Sequence, residues 1–319
     1  MRRTAATLTV VVLTALVNVQ PARAGLVTHC VGTGGAVTVP NDLLVPAGES
    51  CALTGTTVTG NISVAAGANL VVTGGRFSGD IHVAADGYLD ASDTTVAGGI
   101  ELASGAYGAF LRDARSGAVT VRAKGSTTID SFLFTEGATI EGNVTASAGE
   151  VRLDKTTQVT GNLSSSGTYY TDVHDSFVDG TLSVLNSATG SVVCGSAVRG
   201  RATFAGNLQG VQIGPGGLLD SCASGGYWGR DIDITNTAGG VWVDDTIIDG
   251  RLTLTANDPV ARVATNNRIR GGITGDHTAT ALRTGSAAGE HRSARKDRRA
   301  ESRRSAAARE ARAAGDARL

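Results

Sequence analysis

A short pattern, apolar-x-Gly-x-apolar-x-apolar, recurs in one phase along this chain and constrains its fold more than any other feature. VTGNISV (58–64), FSGDIHV (77–83) and VAGGIEL (96–102) follow one another every 19 residues. The pattern returns as IEGNVTA, VTGNLSS, VDGTLSV, VRGRATF, IDGRLTL and IRGGITG, with Arg230 standing where one more glycine would fall. Self-similarity at a short fixed period is the mark of a solenoid, in which each unit buries its apolar side only against its neighbours. Longer intervals predict insertions, one near Leu111 to Ala118 or Lys124 to Gly137, another between Ala205 and Arg230.

Alternation within the motif predicts which side chains point inward. Val58, Phe77, Val96, Ile140, Val159, Val178, Val198, Trp228 and Ile248 stand two residues before the glycine position, and Ile62, Ile81, Ile100, Val144, Leu163, Leu182, Ile232 and Leu252 two after it. A period of two with one apolar side is a half-buried strand. Leu70 with Val72, and Cys51 with Leu53 one coil earlier, supply a second wall. The expected fold is all-β: a right-handed parallel β-helix of about 12 coils, a rod roughly 55–60 Å long at ~4.8 Å per coil. The outward columns support this register. Three residues after the glycine position, Ser63, Thr120, Thr145, Ser164, Ser183, Thr203, Thr253 and Thr274 carry hydroxyls, and Asp179 falls beside Arg199 as Asp249 falls beside Arg270. In-register stacking makes such opposite charges neighbours.

The 44 glycines and 4% aromatic content suit short strands joined by tight turns and disfavour a helical body. Residues 1–24 read as a secretory signal peptide, with Arg2 and Arg3 before an apolar run from Leu8 to Val17 and an Ala22-Arg23-Ala24 cleavage site; that run is too short for a bilayer span. No later segment is apolar and long enough to be transmembrane. The expected location is therefore extracellular, secreted or held at the cell surface, where an even number of cysteines pairs as disulfides: Cys30 with Cys51, and Cys194 with Cys222. Their spacing does not suit a metal site, and no cofactor motif is found. Residues 25–288 form the expected β-helix with its N-terminal cap. Residues 289–319, with ten basic side chains against five acidic ones and no aromatic or β-branched residue, predict a solvated, disordered or partly helical tail on an acidic body.

The repeat over roughly residues 39–275 resembles those of bactofilin-type polymer-forming bacterial β-helices. That resemblance implies a structural, adhesive or surface-assembly role, with cell-wall or extracellular polysaccharide and end-to-end self-association as partner classes; nothing points to nucleic acid. A second reading is a pectate lyase-like or polygalacturonase-like enzyme, whose acid cluster would be Asp231, Asp233, Asp244, Asp245 and Asp249 with Arg230, Arg268 and Arg270. The histidine-glycine element of such sites is missing. A third is a flat hydroxyl array binding glycan or ice. Tyr227 and Arg230, in the second insertion, are candidates for stacking on a sugar ring. The histidines, His29, His82, His174, His277 and His291, are read as solvated, and His174-Asp175 as a turn. The sequons at Asn61, Asn143 and Asn162 are by-products of the repeat.

Overall fold

The computed structural model describes residues 26–281 and 292–319. The proposed signal peptide, residues 1–24, lies outside the described residues, as do the first residues of the tail and His291. From 26 to 281 the chain winds as a parallel β-solenoid of three sheets with 13, 13 and 12 strands. One coil shows the plan: Ile62–Val64 lies in sheet A, Asn69–Thr73 in sheet B and Arg76–Phe77 in sheet C, and the chain re-enters sheet A at Ile81–Val83. Equivalent residues stack in line. Ile62, Ile81, Ile100 and Val119 form one column, and Val58, Phe77 and Val96 another.

The period-two pattern fixes what these columns bury. Ile81 and Val83 are fully buried while His82 between them is exposed, and the inward columns fuse into one core running from Cys30 to Val263. The repeated glycine answers a steric demand. A Cβ on Gly79 would sit 2.5 Å from the carbonyl oxygen of Gly60, one coil away. The Asn or Asp that follows it caps the coil: Asn61 Oδ1 accepts the Asp80 amide at 3.0 Å, Asp80 Oδ1 accepts that of Gly99, and Asn162 Oδ1 that of Thr181. At the corner from sheet B to sheet C the chain passes through a left-handed residue, Gly74 in one coil (φ 69°) and Asp93 in the next (φ 49°). Glycine meets that demand without strain, and Asp tolerates it better than most side chains.

The first insertion, 122–131, enters between Val119–Val121 and Phe132–Glu136, so of the two sites expected from the sequence, the Lys124 to Gly137 region is the one used. The second, 214–226, separates Val211–Ile213 from Tyr227–Trp228. Cys30 and Cys51 lie at disulfide distance, as do Cys194 and Cys222, with Cα separations of 5.6 and 5.5 Å.

Over residues 292–319 the helical alternative is the one found, and the helix is packed on the solenoid rather than solvated. Ala294–Ala314 forms a helix lying along the outer face of sheet B. Alanine, arginine and glutamate are strong helix formers, and Gly315 at φ 86° ends the helix. Its length fits its track. Twenty-one residues rise about 32 Å, and the seven coil steps from Tyr170–His174 down to Gly32–Gly34 cover about 34 Å. The helix buries only small side chains, Ala300, Ala307 and Ala311. Opposite them the outward side chains of sheet B are unusually large: Tyr88, Phe110, Phe132, Phe134 and Tyr170 form a separate buried cluster with Ala300. Cations knit the two surfaces together. Arg152, 3% exposed, pairs with Asp297 at 2.6 Å and lies over the Phe134 ring; Arg303 reaches Asp86 at 2.8 Å and covers Tyr107; Lys296 pairs with Glu150. Beyond the helix, the Ala317 amide donates to the Thr33 carbonyl, and Ala317 and Leu319 pack on the core, closing the N-terminal end of the rod.

Candidate binding surfaces

Sheet C carries the most exposed apolar surface in register. Phe177, Ala197, Tyr227 and Ile247 are consecutive rungs of one outward column, and the three large members are 46%, 40% and 42% exposed. Three coil steps make the ladder about 14 Å long. The adjoining column holds the charges predicted to pair: Arg199 meets Asp179 at 3.0 Å, and Arg270 meets Asp249 at 2.6 Å. Tyr227 donates its hydroxyl to Asp249 at 2.7 Å, a bond that pushes its pKa up. The next rung after Ile247 is Arg268. Together with Tyr227, Ile247, Asp245 and Asn266 it borders a depression of about 470 Å³. No protein-family model matches this chain, and neither does any curated protein or solved structure.

The acid cluster considered for catalysis is spread around the coil. Asp231 and Asp233 belong to sheet A and its entry, where Asp231 accepts the Arg251 amide and Asp233 pairs with Arg201 at 2.8 Å. Asp244 and Asp245 form the corner from sheet B to sheet C, and Asp245 Oδ2 accepts the Gly225 amide at 3.0 Å. Asp249 and Arg270 belong to the ion-pair column beside the ladder. Arg230 is exposed at the corner from sheet C to sheet A, so the cation in line with Tyr227 is Arg268 rather than Arg230. Trp228 is fully buried in the inward column.

A different cluster emerges on the outer face of sheet B. Asp172 and His174, two residues apart and therefore on the same face of their strand, lie within reach of Asp220 from the second insertion, all three ligand atoms being within 4.8 Å of one another. His174 is 3% exposed, with Nε2 3.8 Å from Asp220 Oδ2, which corrects the reading of this histidine as solvated. Asp175 is the left-handed turn residue next to it. The signal lay in the cysteines. His174 is the register partner of Cys194, and the link from Cys194 to Cys222 draws Asp220 over the strand. Arg292, at the head of the helix, donates Nε to Asp172 Oδ2 at 2.7 Å and stacks on Tyr170. The cluster thus works as the upper fastening of the helix.

The sheet A column Ser63, His82, Glu101, Thr120 is in register as expected and borders a shallow groove with Asn61 and Asp80. His82 and Glu101 break its run of hydroxyls. Among the described residues no helix is long and apolar enough to cross a membrane.

Proposed function

We propose that this protein is an exported, non-catalytic β-solenoid whose sheet C face adheres to an extended extracellular polysaccharide. The ladder Phe177–Ala197–Tyr227–Ile247 carries this reading. A rigid row of apolar and aromatic side chains at a fixed spacing, rimmed by charge, suits stacking against the faces of successive sugar rings. Arg268 and the Asp249–Arg270 pair supply hydrogen-bonding groups at its edge. The resemblance of the repeat to bactofilin-type polymer-forming proteins supports a structural rather than an enzymatic role. The cysteine pairs and the signal-like first 24 residues support export.

Co-sedimentation with insoluble wall polysaccharide tests the proposal. The wild-type chain should pellet with the polymer, and the triple variant Phe177→Ser, Tyr227→Ala, Ile247→Ser should lose most of that retention while keeping its melting temperature, because all three side chains are exposed. Equal retention of both proteins would refute the ladder as the adhesive face. Release of soluble products from polyuronides, abolished by Asp231→Asn, Asp245→Asn or Arg270→Ala, would replace it with the enzymatic reading.

A further inference from the structure

We propose that the solvent-facing side of the C-terminal helix is a docking track for a linear acidic polysaccharide, one that carries a carboxylate on each sugar. It does not rest on the adhesive reading of sheet C, because the helix covers sheet B and none of its residues belongs to the ladder.

Docking on the solenoid sorts the charges of the helix. Each of its three acids has a partner on the solenoid: Asp297 meets Arg152, Glu301 meets Arg112 at 3.5 Å, and Glu310 accepts from the Ser50 hydroxyl at 2.7 Å. Lys296, Arg303 and Arg304 are taken up by Glu150, Asp86 and Asp90. Arg295, Arg299, Arg309 and Arg312 lie more than a quarter turn from the buried alanine face, and all four are exposed. With the acids turned to the solenoid, these arginines give the outer side a line of positive potential on an otherwise acidic body.

The layout of the row points to its partner. From Arg295 to Arg312 it runs about 26 Å. The guanidinium groups are strung along a line and do not converge on a point. A compact anion meets one or two of them at a time, whereas a linear polyanion meets all four, and linked contacts reinforce one another. Each guanidinium fork matches a carboxylate through two parallel hydrogen bonds. Between the two arginine pairs the helix presents the small side chains Ser302, Ser305 and Ala306. They leave a low stretch over which sugar rings can lie, with the exposed Ser302 hydroxyl within reach of theirs. A membrane surface is the poorer fit. A helix that lies in a bilayer interface inserts its apolar face, and here that face, Ala300, Ala307 and Ala311, is buried against the sheet.

Calorimetry on the full chain tests the track, with polygalacturonate as the probe and phosphatidylglycerol vesicles as the membrane arm. Polygalacturonate should bind, with an affinity that falls steeply as salt is added. Changing Arg295, Arg299, Arg309 and Arg312 together to Gln should weaken binding roughly tenfold or more, the summed effect of four exposed ion pairs. The melting temperature should hold, because the pairs that fasten the helix are kept. Arg76, Arg122, Arg251 and Arg262 are exposed on other parts of the solenoid, and changing these four to Gln removes the same charge but should leave the affinity nearly unchanged. Each half of the row should contribute, so the double variants Arg295→Gln with Arg299→Gln and Arg309→Gln with Arg312→Gln should both bind more weakly than wild type. Equal losses in the two quadruple variants would reduce the effect to net charge and overturn the track. So would an effect confined to one double variant, tighter binding to the vesicles than to polygalacturonate, or no binding of polygalacturonate by the wild-type chain. The sheet C triple variant should keep the salt-sensitive binding; its loss there would move the site to the ladder.

Discussion

At the scale of single residues, the period-two pattern makes sharp and opposite demands on neighbours. Ile81→Asp places a charge in a sealed apolar column, at a cost of several kcal/mol, roughly the effective penalty for a buried unpaired ion, whereas His82→Asp, one residue on and exposed, should be nearly neutral. Thermal melting and soluble yield of the two variants read this difference; equal losses would mean the strand phase is wrong. Asp231→Asn and Arg270→Ala, in partly exposed pairs, should each change stability by no more than ~1 kcal/mol. The inward and outward assignments of these residues followed from the sequence because alternation is a local signal. The burial of His174 did not, since it depends on an insertion more than 40 residues later folding back across its strand. The distinction between Asp93 as a corner residue and Asp90 as a buried partner of Tyr88 and Arg112 was equally hidden, because both read simply as polar positions in a strand-rich repeat.

At the scale of elements, the C-terminal helix and the outer face of sheet B are complementary halves that meet only in space. The helix offers alanines and cations, and the sheet offers aromatic rings and carboxylates. Neither half shows a docking pattern alone, and the charge separation between body and tail is the only sequence trace of the contact. Deleting residues 292–319 should uncover Phe110, Phe134 and Tyr170, raising hydrophobic-dye binding and lowering the melting temperature. Arg292→Ala, which leaves the buried Asp172 without its cation, should cost about 3 kcal/mol and speed amide exchange in the first turns of the helix before the core coils respond. The same interface predicts behaviour in alkali. Burial pushes the pKa of Tyr88 and Tyr170 upward, reinforced by the charges of Asp90 and Glu150 respectively. The folded chain therefore holds these phenols protonated where the unfolded chain would ionise them. Their contribution to stability is complete below about pH 10 and declines as the pH rises past it. Tyrosinate absorbance should show them ionising only with unfolding, and Tyr170→Phe should flatten the alkaline loss of stability.

At the scale of the whole molecule, the two ends of the solenoid are unlike. The first coil is covered by Ala317 and Leu319 and paired through Thr33. At the other end, among the described residues, Ile269 and Ile273 are only partly buried and the strand His277–Thr280 is largely exposed. An uncovered strand edge is the part of a sheet that recruits another chain. Association through ends should therefore stop at a pair joined at their open ends, and removal of residues 292–319 should permit longer arrays. Sedimentation velocity of the two proteins distinguishes these outcomes, and filaments formed by the intact chain would contradict the closed end.

The closure of the first coil by the last residues also sets a direction for display. The strand Val27–His29 and the contact of Leu319 with the core are both features of that coil, so the described chain starts and finishes at the same pole of the rod. Anything fused or tethered at either pole-side terminus holds the molecule like a mast stepped at its foot. The Tyr227 ladder then runs up the side of the mast towards its free tip, well clear of the foot.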